Sequence, residues 1–292
     1  MHIILLSLIF WLQTGGQGAA GYVGSQACLP CHSQSQPDMT ATWQASRHHQ
    51  SLTKVDLASL RPLSPPEELS QAVYTLEGFK RQAFWDADYQ LLPWEWLSDD
   101  EEWQAVESSD DAECLGCHAT GFTAGTGGYT EIGVGCEACH GPGAAHVENG
   151  GAVDAIVNPG NLSAERRRMV CGQCHSVGHD VSGRHAFPVT DGTTPFLPGE
   201  DLTEHFQDSQ PLTLGKNRQY SLLIQSPPYF ATSGCADCHL PHGHAKNPRM
   251  LKDTTGQLCL QCHGKKMRNP ELHWPGSDTV PCWGCHQYAH TH

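Results

Sequence analysis

Alternating apolar and polar residues dominate the interval from residue 63 to residue 109. Aromatic and β-branched side chains cluster there in three short runs, at residues 73–76, 82–85 and 89–92. Runs of this kind, bounded by turn residues, are typical of neighbouring strands in an antiparallel sheet. The pattern therefore predicts a small antiparallel β meander near residues 73–92. Three tryptophans follow this meander and are expected to pack against it: Trp94, Trp96 and Trp103.

Helical patterning is confined to short stretches elsewhere in the chain. The 30 Gly and 19 Pro residues interrupt the sequence frequently, and both residue types end helices. Short helices are predicted at residues 37–49, 154–157, 164–170 and 255–262. The interval 187–230 is rich in Pro and Gly and is predicted to be a connection. The predicted fold class is mainly short α-helices and irregular loops, with the small β meander.

An apolar stretch near the N-terminus runs from residue 3 to residue 12 and is broken only by Ser7. A Gly-rich segment follows it and ends at Ala20. This pattern is typical of a secretory signal peptide, here residues 1–20. A membrane-spanning helix needs about 20 consecutive apolar residues, so this stretch is too short to cross a bilayer. We therefore expect an exported protein, periplasmic or extracellular, without a transmembrane segment.

The composition indicates that aliphatic side chains alone do not fill the interior. Leu, Ile, Val and Phe make up about 18% of the residues, below the roughly 20% at which highly charged chains become disordered. The chain nevertheless contains 14 Cys, 8 Trp and 19 His, which favours a core that includes a large apolar cofactor. The net charge of -14 repels phosphate backbones, so nucleic acid is excluded as a partner.

All 14 cysteines occur in seven Cys-x-x-Cys-His motifs. The motifs are Cys28, Cys31 and His32; Cys114, Cys117 and His118; Cys136, Cys139 and His140; Cys171, Cys174 and His175; Cys235, Cys238 and His239; Cys259, Cys262 and His263; Cys282, Cys285 and His286. This spacing is the attachment signature of c-type haem. The two thiols bond to the porphyrin and the adjacent imidazole is the proximal iron ligand.

Three other uses of paired cysteines fit the sequence less well. A structural zinc site takes two Cys-x-x-Cys pairs, whereas the number of pairs here is odd. A disulfide framework would show varied spacings, and a thioredoxin-like motif occurs once, within a βαβ unit. The sequence therefore predicts seven covalently attached haem c groups.

The motif positions predict how the mature chain is organised. Residues 21–110 form a first-haem segment with the β meander, and residues 111–186 form a three-haem segment. The connection 187–230 leads to a second three-haem segment at residues 231–292. So few residues accompany each motif that the haems are expected to lie against one another, with the polypeptide wrapped around the chain of haems.

Eleven further histidines of the mature chain are available as distal iron ligands, and they fall into seven groups. Met is scarce, so we expect His on both sides of most irons, which implies low reduction potentials. The distal candidates are His48, His146, His185, His205, His242, His273 and His290. The alternative for any one of them is an ordinary surface histidine.

Four stretches of the chain resemble recurring blocks of the multihaem cytochromes related to cytochrome c-554. They are GYVGSQACLPC at 21–31, CLGCHATGF at 114–122, GVGCEACHGPGAAH at 133–146 and CADCHLPHG at 235–243. The resemblance implies chains of haems with two His ligands each, used for electron transfer. It marks His48, His146 and His242 as distal ligands, with His205 and His273 following.

One departure from these relatives concerns the motif at Cys235. Many of them carry a His about seven residues before it, where this chain has Pro227 and Pro228. One haem is therefore expected to find its ligand elsewhere, to take a neighbouring subunit's His, or to stay five-coordinate.

The sequence favours a heptahaem cytochrome that transfers single electrons between redox proteins, whose docking surfaces we expect to be basic because this chain is acidic. No catalytic residue is assigned. A reductase of the nitrite or hydroxylamine type is the alternative, and it requires one open iron. A further alternative is an extracellular filament in which His290 or His292 binds the iron of another subunit.

Overall fold

The structure is a computed structural model. It describes residues 20–253 and Leu258, with gaps at 78–80, 89, 99, 107–110, 209–218, 225–233, 245–246 and 248. The predicted signal peptide apart from Ala20, the last two motifs, Pro227, Pro228, His273 and His290 lie outside the described residues, as does the predicted helix 255–262 apart from Leu258. No helix within the described part is long and apolar enough to cross a membrane.

The Cys-x-x-Cys-His motifs form short helices. The helices that carry motif residues are α1 (Ser25–Ser35), α4 (Asp111–His118), α5 (Cys136–His140), α7 (Ala164–Gly172) and α9 (Cys235–Cys238). Residues three apart lie on one face of a helix, so a helical turn directs both thiols of a motif to the same side. At the start of α7, the Ser163 side chain accepts a hydrogen bond from the Arg166 N–H at 3.2 Å and caps the helix.

The remaining helices are also short and lie between the motifs. They are α2 (Pro37–Gln44), α3 (Leu57–Leu60), α6 (Ala144–Glu148) and α8 (Gln219–Ile224). Five 3-10 helices accompany them within the described residues: Arg61–Leu63, Glu67–Gln71, Val153–Ala155, Pro159–Asn161 and Leu202–Glu204. The prediction of a chain dominated by short helices and loops is confirmed.

The predicted β meander is present and is larger than expected. Its five antiparallel strands pair in sequence order: β1 (Thr53–Lys54), β2 (Tyr74–Glu77), β3 (Arg81–Trp85), β4 (Leu91–Leu97) and β5 (Glu102–Ala105). Pro93 lies inside β4 and has no N–H, which normally indicates the end of a strand. Its carbonyl nevertheless accepts a hydrogen bond from the Val106 N–H at 2.9 Å, so the ladder continues past it.

The three tryptophans expected to follow the meander are part of it. Trp94 and Trp96 lie in β4, and Trp103 lies in β5 directly opposite Trp96. The ring centroids of Trp96 and Trp103 are 5.1 Å apart, and the ring planes meet edge to face at 61°. The expectation that they pack against the sheet is therefore correct, but they do so as strand residues.

Three two-stranded sheets complete the described structure. They are β6 (Ala119–Thr120) with β7 (Glu131–Ile132), β8 (Gly178–Asp180) with β11 (Phe206–Asp208), and β9 (Val189–Thr190) with β10 (Thr194–Pro195). Two of them include strands from the interval 187–230, which was predicted to be a connection.

Apolar side chains form three small buried clusters in the described residues. The first, under the five-stranded sheet, consists of Leu60, Leu69, Ala72, Phe84 and Leu92. The second, beside α4, consists of Leu115, Ala119, Phe122, Phe187 and Val189. The third, beside α7, consists of Met169, Phe196, Leu202, Phe206 and Tyr220. The motif cysteines and histidines are only partly covered, so they border the spaces between these clusters.

Candidate haem-binding site

The five described motifs, called first to fifth in chain order, come together although they are far apart in sequence. Thiols of different motifs interact directly in three pairs: Cys28 with Cys136, Cys117 with Cys174, and Cys171 with Cys235. The third and fourth motifs meet through the Gln173 side chain, whose Nε2 donates to the Ala138 carbonyl at 2.9 Å. The fourth motif therefore contacts the second, third and fifth.

These thiols are free, and none of the ten described cysteines is in a disulfide. The hydrogen bond with Cys136 and burial raise the pKa of Cys28, and the same hydrogen bond lowers the pKa of Cys136 to about 7. Free thiols side by side are what covalent attachment of two neighbouring cofactors requires.

Histidines from different parts of the chain face each other in three pairs. The ring centroids of His32 and His146 are 6.4 Å apart, with the ring planes at 26°. His140 and His242 are 6.2 Å apart and almost parallel, at 4°. His175 and His48 are 6.3 Å apart and edge-on, at 60°. In each pair one ring belongs to a motif and the other is a predicted distal ligand.

The spacing of these pairs fits one metal ion between two imidazoles. An imidazole nitrogen binds a transition metal at about 2 Å, and the ring centre lies about 1 Å behind that nitrogen. Two such ligands of one ion therefore have centroids about 6 Å apart, which is the distance found in the three pairs. The residues present thus fit haem.

Hydrogen bonds at Nδ1 orient several of these imidazoles. His140 donates from Nδ1 to the Val157 carbonyl at 2.8 Å, and His146 donates to the Ala152 carbonyl at 2.9 Å. His239 of the fifth motif does the same to the Arg249 carbonyl at 2.9 Å. A carbonyl oxygen can only accept, so the proton lies on Nδ1 and the lone pair lies on Nε2, ready for a metal.

The fourth motif has a different partner at this position. His175 Nδ1 lies 3.1 Å from Oε1 of Gln219, at the start of α8. The Tyr220 N–H donates to the His175 carbonyl at 2.8 Å and holds α8 against the motif. His175 is therefore oriented by a side chain, whereas His140, His146 and His239 are oriented by main-chain carbonyls.

Burial keeps the inner histidines neutral. Burial and the neighbouring His175 lower the pKa of His48 and of His118 to about 4. Neutral imidazole is the form that binds metals. The Nδ1 atom of His118 is buried without a hydrogen-bond partner in the described residues.

A glycine places His242 against α2. Gly243 has a φ of +97°, which strains any residue with a side chain, and a Cβ there would lie 2.5 Å from the Thr42 carbonyl oxygen. The close approach at this turn brings the fifth motif beside the segment that contains His48.

Two other distal candidates have protein contacts instead of a facing motif histidine. His205 Nε2 lies 3.1 Å from Glu200 Oε2, and its Nδ1 lies 2.6 Å from the hydroxyl of Thr190. The ring of His185 packs on Phe187 at 5.1 Å. Neither is part of a facing pair among the described residues.

Two buried carboxylates near the first and third motifs were not identified from the sequence. Glu137 is fully buried and accepts hydrogen bonds from the N–H groups of Val23, Gly24 and Gly143, the shortest at 2.6 Å from Gly143. Glu131 accepts from the hydroxyl and the N–H of Ser25, and burial raises its pKa. They join α1 to α5. Nothing in the motif spacing requires a carboxylate at either position.

Comparison with known proteins identifies related families along parts of the chain. Residues 228–268 match the doubled CXXCH motif family, and residues 81–141 match the family of cytochrome c554 and c-prime. The multiheme cytochrome MtrA of Shewanella baltica is 29% identical over 158 residues. That alignment covers 48% of this chain and 45% of the relative, so the match spans less than half of either protein.

Two solved structures share the fold. The outer cell wall cytochrome OcwA has a TM-score of 0.59 at 22% identity, over 87% of this chain and 68% of that one. The undecaheme cytochrome from the S-layer of Carboxydothermus ferrireducens has a TM-score of 0.53 at 20% identity, over 91% of this chain and 50% of that one.

Proposed function

The chain belongs to the multihaem c-type cytochromes, and from that premise we propose that it holds seven covalent haem c groups and transfers single electrons outside the cytoplasm. Haem iron, when bound, supplies the one-electron chemistry. The seven identical motifs support the number. Two structural relatives are an outer cell wall and an S-layer cytochrome, which supports the location.

The three facing histidine pairs are the observation that carries this proposal. We assign His146 as the second ligand at the first motif, His242 at the third motif and His48 at the fourth motif. Each of these ligands comes from a segment that follows another motif. At these three sites the iron would thus have one ligand from its own motif and one from a segment that follows another motif. This arrangement fixes neighbouring sites relative to one another.

The contacts between motifs define the route that the chain offers to an electron. The first motif meets the third through Cys28 and Cys136, and the third meets the fourth through Gln173. From the fourth, thiol contacts lead to the second and the fifth. The fourth motif is therefore a branch point.

A reductase with one open iron is the second candidate. Its support is that two motif histidines, His118 of the second motif and His239 of the fifth, face no other histidine ring among the described residues. This candidate predicts a high-spin ferric signal in the native protein, together with reduction of nitrite or hydroxylamine. A filament built by exchange of His290 or His292 is a third possibility, and those residues lie outside the described structure.

The experiment that tests the proposal combines haem counting with one ligand substitution. Intact mass and a pyridine haemochrome assay should give seven haems per chain. In His146→Ala, electron paramagnetic resonance should show one new high-spin iron, because a strong-field ligand is lost. His179→Ala is the control, because His179 is exposed in β8. A His146→Ala spectrum identical to that of wild type would refute the ligand assignment.

A further inference from the structure

The exposed surface around the first motif carries apolar side chains close to a predicted iron ligand. Val153 is 84% exposed and Val147 is 44% exposed. Val147 follows His146 in α6, and Val153 follows Ala152, whose carbonyl binds the His146 ring. Cys31 of the first motif is also exposed. Large apolar side chains in water beside a functional residue are typical of a contact surface.

The residues next to these valines in sequence include two acidic side chains and no Lys or Arg. The acidic side chains of Glu148 and Asp154 are exposed and adjacent in sequence to Val147 and Val153. The chain contains no Lys or Arg between Arg81 and Arg166, and none from residue 20 to residue 46. An apolar centre with an acidic rim complements a basic protein surface and repels a second copy of this acidic chain.

The position of this surface suits the exchange of electrons. The first motif lies at one end of the route described above, joined to the third motif by Cys28 and Cys136. His32 of this motif would hold its haem together with His146, and the two valines are adjacent in sequence to His146 and to Ala152, which orients the His146 ring. A partner bound over the valines would then be close to the cofactor.

We propose that the surface formed by Val147, Glu148, Val153 and Asp154 is the docking site for a small redox protein with a basic surface. This inference rests on the proposed function and names the class of partner that would bind at the first-motif end of the electron route. The exposed valines exclude water at the centre of the contact, and the two carboxylates orient the partner.

The test measures binding of the holoprotein to mitochondrial cytochrome c, a small basic redox protein, at several salt concentrations. Glu148→Lys/Asp154→Lys is compared with Asp88→Lys/Glu102→Lys, which makes the same charge change at exposed positions of the five-stranded sheet segment. At low salt we expect the first pair to weaken binding about tenfold or more, and the control pair to have a much smaller effect, since charge complementarity acts locally. Val153→Ser should weaken binding without changing its salt dependence.

Each result has a defined meaning. Equal losses in the two charge variants would show that net charge alone drives association, and this would overturn the docking site. Self-association of the wild type that Val153→Ser abolishes would assign the surface to a second copy and would also overturn it. If Glu148→Lys/Asp154→Lys contains fewer haems than wild type, Val153→Ser with its full haem content decides the question. Binding by that variant equal to wild type would overturn the docking site. Haem count and axial-ligand spectra, recorded for every variant, test the proposed function separately.

Discussion

Replacing Gln219 by Leu should raise the reduction potential of the iron bound at the fourth motif. Gln219 Oε1 accepts the Nδ1–H of His175 at 3.1 Å. Such a bond makes the imidazole a stronger electron donor, so it stabilises the ferric ion more than the ferrous ion. Leu has a similar volume and cannot accept a hydrogen bond.

The size of the shift follows from the strength of one hydrogen bond. A neutral hydrogen bond contributes about 0.5–1.5 kcal/mol. If the whole of it favours the ferric state, one-electron conversion at about 59 mV per tenfold change gives a rise of roughly 20–65 mV. Gln219→Glu should shift the potential in the opposite direction, because a carboxylate is a stronger acceptor.

The measurement is a redox titration of the holoprotein, with electron paramagnetic resonance spectra recorded at successive potentials to follow the individual irons. Gln104→Leu and Gln104→Glu are the matched controls, because Gln104 is exposed in β5. Shifts of the same sign in both Gln219 variants would show a structural disturbance instead of a change in ligand strength. An absence of any shift in both variants would refute the reasoning.

Two further predictions concern the buried carboxylates. Glu137→Ala should lower the free energy of unfolding of the holoprotein by about 3 kcal/mol, because two buried N–H groups and one partly buried N–H group lose their acceptor; denaturant titration should show this, and exposed Glu148→Ala should change stability by under about 1 kcal/mol. Burial raises the folded-state pKa of Glu131 above its ordinary value of 4.5, so wild type should lose stability as the pH rises from 4.5 through the folded-state value. Glu131→Gln should lack this loss in thermal unfolding between pH 4 and 7, and parallel pH profiles would contradict the argument.

The sequence was sufficient to predict the features that depend only on a few consecutive residues. A Cys-x-x-Cys-His motif contains its own attachment groups, so covalent haem binding could be predicted from the spacing alone. The central strands of the sheet were also predictable, because their alternation is visible over a few residues. The ends of the sheet were not predictable, since Pro93 interrupts the pattern and β4 nevertheless continues past it to Leu97.

The geometry of the site depends on contacts between distant residues, which spacing does not contain. His48 follows the first motif in sequence but faces His175 of the fourth motif. His242 follows the fifth motif but faces His140 of the third. The candidate histidines could therefore be named from the sequence, whereas their partners could not. Glu137 was missed for the same reason, because its three donors come from outside its own motif.

The contacts between distant motifs also contribute to the stability of a fold that has few aliphatic core residues. Helices as short as α5 and α6 are not stable in water by themselves, and the three apolar clusters are small. Three contacts tie the first motif and the residues before it to distant parts of the chain. His146 faces His32, Glu137 accepts hydrogen bonds from Val23 and Gly24, and Cys136 lies beside Cys28. Loss of one ligand at this site should therefore loosen two segments at once. The packing that brings the motifs close together, which the proposed function requires, is then also the packing that stabilises the fold.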